Sequence, residues 1–387
     1  MAGLPVCDVQ GEPRERGRVH GRLMARSVAA NVATYLRRLE AGGLNREHAA
    51  ASADEWGRVF AREADDYYDE MVGIAEGADV PFRDVALLNA RYEITYAVFS
   101  GEASGRRVSE ETAPDGCTSF GLLGEATLSG HTVIGQNWDW LADISGHCLV
   151  MRVRRADKPD FVGFTEAGIA GCKIGVNETG IGLVVNGLVT PEEGTIPFTR
   201  PFHLRCRDIL DAERFDRAIA AVVSTPRTSS ANFIIGHADG EIINIEATPN
   251  RCAYLYPEGG IVTHANHLEA EKRVESIFER LSPHSLFRGP RLRRHLQAAH
   301  GTLNHDLIAW GLRDHFSRPG SICRHVDHDL APAIRVLTVT SAIINLNERT
   351  LWATAGPPCE NPYQRIALWS DSIGNGSATL TSAVAGA

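Results

Sequence analysis

The sequence has no CxxC pair, no apolar run of about 18 residues and no excess of positive charge. Its eight cysteines stand apart, at 7, 117, 148, 172, 206, 252, 323 and 359. That spacing offers no dense disulfide framework and reads as free thiols in a reducing, cytoplasmic setting. Without a long apolar run, nothing is expected to span a membrane. The opening MAGLPVCDVQGEPRERG lacks the basic start and apolar core of a signal peptide. A net charge of −9 argues against nucleic acid or an anionic membrane surface as partner, since both demand a basic footprint. No G-x-S-x-G is present, which removes the serine nucleophile elbow. Repeats and low-complexity tracts are missing too. What is present is an ordinary globular composition, 43% hydrophobic and 22% charged over 387 residues, enough for one large domain or two average ones.

The N-terminal third reads as helical. Apolar residues recur at helical spacing over 13–41 (Val19, Leu23, Val28, Val32, Leu36) and again over 54–76 (Trp56, Val59, Phe60, Tyr67, Met71, Ile74). A third apolar segment covers 81–99. Residues 100–116, SGEASGRRVSEETAPDG, are polar and without period, and read as a long exposed loop. Strands then follow in quick succession to about 188, with NETG at 177–180 as a tight turn. A helical block is expected at 201–223 and a strand pair around HADG. Helices follow over about 269–316, and two closing strands, RVLTVTSAIINL and TLWATA, end the pattern. Runs of helices and runs of strands favour an α+β layered fold over a doubly wound one.

One junction stands out in this order. The loop ends in Asp115-Gly116-Cys117, and a strand, TSFGLL, begins at once. Gly116 leaves its own carbonyl unhindered, and the Cys117 thiol lies within reach of it. Attack there gives an N-to-S acyl shift, and hydrolysis of the thioester leaves a new chain starting at Cys117. The freed α-amine titrates near 7.7–8.0, which suits a general base for the adjacent thiol. The plain alternative is a buried filler cysteine after an ordinary Asp-Gly turn.

Further along, GEPRERGRVHG (11–21), GIAEGADVPFRDVALLNARYE (73–93), DGCTSF, GQNWDW (135–140), TEAGIAGCKIGVNETGIGLVVNGL (165–188), HANH (264–267) and SICR (321–324) occur in order. Together they resemble the autoproteolytic penicillin acyltransferase family, the isopenicillin N acyltransferases and their bacterial relatives among the N-terminal-nucleophile hydrolases. The resemblance implies a four-layer αββα sandwich. It implies a mostly helical segment 1–116 cut from a catalytic chain 117–387, the two remaining one structural unit. It makes Gly116–Cys117 the cleavage site and Cys117 the nucleophile. Asp139 matches a carboxylate that would hold the ammonium of cleaved Cys117. Asn266 matches an oxyanion donor, and Arg324 an arginine that would favour thiolate. Asn186 matches a position whose backbone N–H is a second oxyanion donor, though an ordinary strand-end asparagine reads equally well. Phe120 and Trp138 are candidates for substrate contact. The implied partners are a small acyl donor (an amide or an acyl-CoA), an amine or water as acceptor, and the chain's own cleaved N-terminal fragment. No metal or redox cofactor is called for.

Competing readings attach to the same residues. His264 and His267 form HxxH, and RHVDHD offers His325, Asp327, His328 and Asp329. Neither has the i, i+4 histidine spacing of a helical zinc site, and the second reads as a solvated polar loop. A papain-like Cys–His–Asn enzyme is disfavoured by the strand, rather than a helix, after Cys117. An uncleaved scaffold relative is disfavoured by the joint presence of Cys117, Asp139, Asn266 and Arg324.

Overall fold

The structure, a computed structural model, describes residues 3–105, 116–369 and 380–381. Two of its N-terminal helices, Pro13–Ala41 and Asp65–Ala78, cross through paired glycines. Gly17 and Gly21 on one, Gly73 and Gly77 on the other, stand one turn apart on a common face. A Cβ at Gly17 would overlap the Glu70 carbonyl oxygen, and one at Gly73 that of Arg14. The backbones therefore touch, and GRVHG and GIAEG are the stretches that permit it.

The helix expected over 54–76 is two helices, Arg46–Glu63 and Asp65–Ala78. Ala64 adopts extended backbone (φ −163°, ψ 101°) and ends one helix where the next begins. Neither glycine nor proline announces this break. The helix Arg91–Gly105 runs into the stretch read as loop, while residues 106–115 of that loop lie outside the described residues.

Among the described residues, nine strands form a larger sheet and six a smaller one. The larger runs from Cys252–Leu255 through Glu241–Ala247, Ala231–His237, Ile181–Gly187, Ile174–Asn177, Phe161–Glu166 and Cys148–Val153 to Val6–Val9 and Leu380–Thr381. The smaller runs Ile261–His264, Thr118–Leu122, Val133–Leu141, Val336–Asn345, Thr350–Ala353 and Gln364–Ala367. All pairings are antiparallel except that of Val6–Val9 with Cys148–Val153. That four-residue strand, too short to declare itself in sequence, ties the N-terminal segment into the larger sheet.

The sheets face each other across the main core. Gln136 of the smaller accepts a hydrogen bond from the Val185 N–H of the larger at 2.7 Å. Helices Pro13–Ala41 and Phe82–Asn89 cover the outer face of the larger sheet. There Asn31 donates to the carbonyls of His147 and Ala167 (3.0 and 2.9 Å), and Asn89 to that of Gly168. Helix Ser285–Ala298 covers the smaller sheet, packing Leu292 and Leu296 against Phe120, Leu122 and Ile261. The protein is thus an α+β four-layer αββα sandwich.

One buried charge cluster joins the N-terminal segment to the sheets. Glu166 meets Arg91 at 2.5 Å, and also meets Lys173 and the Tyr35 hydroxyl. Trp140 donates to that hydroxyl at 2.6 Å. Burial alone would raise the Glu166 carboxyl, but the Arg91 and Lys173 charges outweigh it and hold it at about 2. An unfolded glutamate titrates near 4.3. The stabilisation is therefore complete above that value and is lost as pH falls towards 2. Glu166→Gln is expected to cost about 3–5 kcal/mol at neutral pH, since two cations stay buried without their counter-charge. Urea denaturation at pH 7 and pH 3 checks this, and the gap between variant and parent should narrow at the lower pH.

Candidate active site

Sheet register explains why distant residues meet at Cys117. Thr118–Leu122 lies between Ile261–His264 and Val133–Leu141, with Ser119 opposite both His264 and Gln136, and Thr118 opposite Asn137. One step further places Cys117 opposite Trp138. Asn266 lies just beyond the end of one neighbouring strand. Asp139 lies on the other, paired with Thr338 of the next strand along.

The backbone N–H of Cys117 donates to Asn266 Oδ1 at 2.8 Å. Arg288 Nη2 donates to the same oxygen at 2.7 Å, and Asn266 Nδ2 donates to the Gly187 carbonyl at 3.0 Å. Two donors and one acceptor fix the orientation of this amide. Asp139 Oδ1 accepts from the Thr338 hydroxyl at 2.7 Å, and that hydroxyl accepts from the Arg324 N–H at 2.8 Å. Gly116 sits inside this ring. A Cβ there would run into Arg324 Nη1 and lie 3.4 Å from both Asp139 Oδ2 and Arg288 Nη2. Only glycine fits without displacing charged groups. The structure therefore brings Gly116, Cys117, Asp139, Asn266 and Arg324 together. Cys117 is only 1% exposed, so its thiol is buried among the described residues.

Arg288 is a central member that the sequence reading missed. Its guanidinium is fully buried and donates from Nη1 to the Cys117 carbonyl (2.6 Å) and the Thr118 hydroxyl (2.8 Å). The signal was there: Arg288 shares a helical stripe with Leu292 and Leu296, so an arginine stands where the apolar face calls for a leucine. Beside it, Arg288 Nε contacts His284 Nδ1 at 3.2 Å. Burial, then the charges of Arg324 and Arg288, push His284 well below the usual histidine range, so it is neutral here.

The remaining candidates take other positions. Asn186 accepts from the hydroxyl of Ser119, two residues after Cys117, at 2.6 Å and from Asn232 at 3.1 Å. Trp138 packs against Lys173, whose Nζ stands 3.4 Å from the ring centre, and against Phe164. Phe120 points the other way, into the core beneath helix Ser285–Ala298, and is not part of the cluster.

HANH is built for structure rather than metal. His264 bonds the Ala265 carbonyl and Glu246, both at 2.9 Å, so its two ring nitrogens face acceptors. Burial opposes its charge, but the bond to Glu246 and the carboxylates of Glu269 and Glu246 outweigh that and raise it. Glu246 also accepts from the backbone N–H groups of Glu269, Ala270 and Glu271. It thereby anchors the turn that carries Asn266. His267 meets Ser285 at 3.0 Å, and burial lowers it to about 4.

A family model described as acyl-coenzyme A:6-aminopenicillanic acid acyl-transferase matches residues 127–360, more than half of the chain. The chain belongs to this family. The 40 kDa form of the acyl-coenzyme A:6-aminopenicillanic-acid acyltransferase of Emericella nidulans is 27% identical over 325 residues, covering 81% of this chain and 83% of that protein. An uncharacterised protein of Archaeoglobus fulgidus is 22% identical over 290 residues, 70% of this chain and 48% of its own length. Among solved structures, a Caenorhabditis elegans N-acylethanolamine-hydrolyzing acid amidase ortholog matches with TM-score 0.45 and 14% identity, over 60% of this chain and 93% of its own. Penicillin V acylase from Agrobacterium tumefaciens matches with TM-score 0.41 and 14% identity, over 62% and 82%. This family member is thus an enzyme of the acyltransferase group. The family match begins after Cys117, so the surroundings of that residue are known here from its geometry.

Proposed function

We propose that this family member cuts itself between Gly116 and Cys117, then transfers acyl groups through a thioester on Cys117. The observation that carries this is the enclosure of one glycyl-cysteine bond by Asn266, Arg288, Arg324 and Asp139. In the first step the Cys117 sulfur attacks the Gly116 carbonyl, the C–N bond breaks, and the nitrogen takes up a proton as an amine. Water then opens the thioester, releasing the Gly116 carboxylate and restoring the thiol.

The new amine inherits the hydrogen bond of the old amide to Asn266 Oδ1. It takes the thiol proton, and the thiolate attacks the acyl carbonyl of a substrate. The Asn266 amide, oriented by the Cys117 N–H, Arg288 and the Gly187 carbonyl, is assigned as donor to the developing oxyanion. The leaving group departs with the proton held by the amine, and an amine or water takes the acyl group from sulfur. Arg324 favours the thiolate, and Asp139 holds the ammonium form of the amine. The donor is a small N-acyl amide or an acyl-coenzyme A, the latter in keeping with the name of the Emericella relative.

The cut N-terminal segment stays bound. It supplies Tyr35 and Arg91 to the Glu166 cluster and a strand to the larger sheet. Intact mass and N-terminal sequencing of the purified protein test the reading. Two co-eluting chains are expected, the larger beginning at Cys117. Active protein consisting only of the uncut 387-residue chain would refute it.

A further inference from the structure

Four side chains from separate parts of the sequence converge beside Arg324. His315 follows helix His305–Leu312, Cys323 and His325 flank Arg324, and Cys359 follows strand Thr350–Ala353. Their ligand atoms all lie within 4.8 Å of one another. The two sulfurs are 3.5 Å apart. His325 Nε2 stands 3.7 Å from Cys323 Sγ, 3.3 Å from Cys359 Sγ and 3.1 Å from His315 Nε2.

These spacings match the edges of one coordination tetrahedron. Zinc binds sulfur near 2.3 Å and imidazole nitrogen near 2.0–2.1 Å, so tetrahedral edges are about 3.8 Å between sulfurs, 3.5 Å between sulfur and nitrogen, and 3.3 Å between nitrogens. The outer contact fits as well. His325 turns its other nitrogen, Nδ1, to Glu360 Oε1 at 3.3 Å, the carboxylate–histidine arrangement that fixes the ring of a metal ligand. Two thiolates and two neutral imidazoles balance the charge of a divalent ion. Cys359 and His315 are exposed, giving an entry path, while Cys323 and His325 are buried.

We propose that His315, Cys323, His325 and Cys359 bind one zinc ion as a structural site. With four protein ligands the site is closed and leaves no position for a substrate. Its effect is mechanical. Cys323 and His325 bracket Arg324, whose N–H and C=O are bound by Thr338 (2.8 and 3.0 Å), the residue that also holds Asp139. The ion therefore pins the segment that presents Arg324 to Gly116. The assignment stands independently of how Cys117 reacts.

The full chain, purified under reducing conditions with a histidine-free tag and no chelator, is analysed by elemental mass spectrometry. About one zinc per chain is expected. The metal-stripped protein, titrated with cobalt(II), should develop a near-ultraviolet thiolate-to-cobalt charge-transfer band. Cys359→Ser removes an exposed ligand and should abolish both the zinc and the band, and should lower the melting temperature only of protein supplied with zinc. Reduced protein with no zinc and no cobalt band overturns the site. So does a zinc content that Cys359→Ser leaves unchanged.

Discussion

Cys117→Ala is expected to yield a single, folded, uncut chain without activity. The substitution removes one sulfur from a buried position and leaves the hydrogen bonds to Asn266 and Arg288 intact, because those two contact the Cys117 backbone. Folding should therefore survive, while both the acyl shift and the later thioester lose their nucleophile. Activity is expected to fall to background. Denaturing electrophoresis and intact mass check the first half, and turnover of an acyl donor checks the second. Cleavage that persists in Cys117→Ala would assign maturation to an external protease.

Asn266→Ala carries the second large effect. Asn266 touches the Cys117 nitrogen through Oδ1 and is assigned the oxyanion through Nδ2. Losing an oxyanion donor lowers kcat about 10²–10³-fold, with a smaller change in KM because the interaction matures in the transition state. Self-cleavage also passes through a tetrahedral intermediate, so it should slow in the same variant. Arg288 is left beside Cys117 with one fewer acceptor, which adds a stability cost of about 1–3 kcal/mol. Kinetics on the fraction that has cleaved separate the two effects. A variant with raised KM and unchanged kcat would show that Asn266 only binds substrate.

The elements legible in the sequence were those whose signal is local. The hydrophobic period located Pro13–Ala41, and NETG marked the turn between Ile174–Asn177 and Ile181–Gly187. The break at Ala64 has no local marker, and Val6–Val9 gains its strand character only from its partners in the sheet. The same division runs through the site. Cys117 was marked by its Asp-Gly junction, whereas Asp139, Asn266 and Arg324 were reached through the family resemblance of their stretches, and the register of four strands brings those stretches to one place. Arg288 was hidden among the arginines of SLFRGPRLRR, where only its position on the apolar stripe sets it apart. RHVDHD read as a solvated loop, because nothing local links His325 to Cys359 or His315. Chain topology alone makes that connection.

The central claim is an acyl group carried on the sulfur of Cys117. Cleaved protein should be mixed with an acyl-coenzyme A or N-acyl amide donor, quenched in acid within a turnover, and mapped by peptide mass. The acyl mass is expected on the peptide that begins at Cys117, in a bond that hydroxylamine releases at neutral pH as a thioester. Turnover with the acyl group on another residue, or undiminished turnover after alkylation of Cys117, would contradict it.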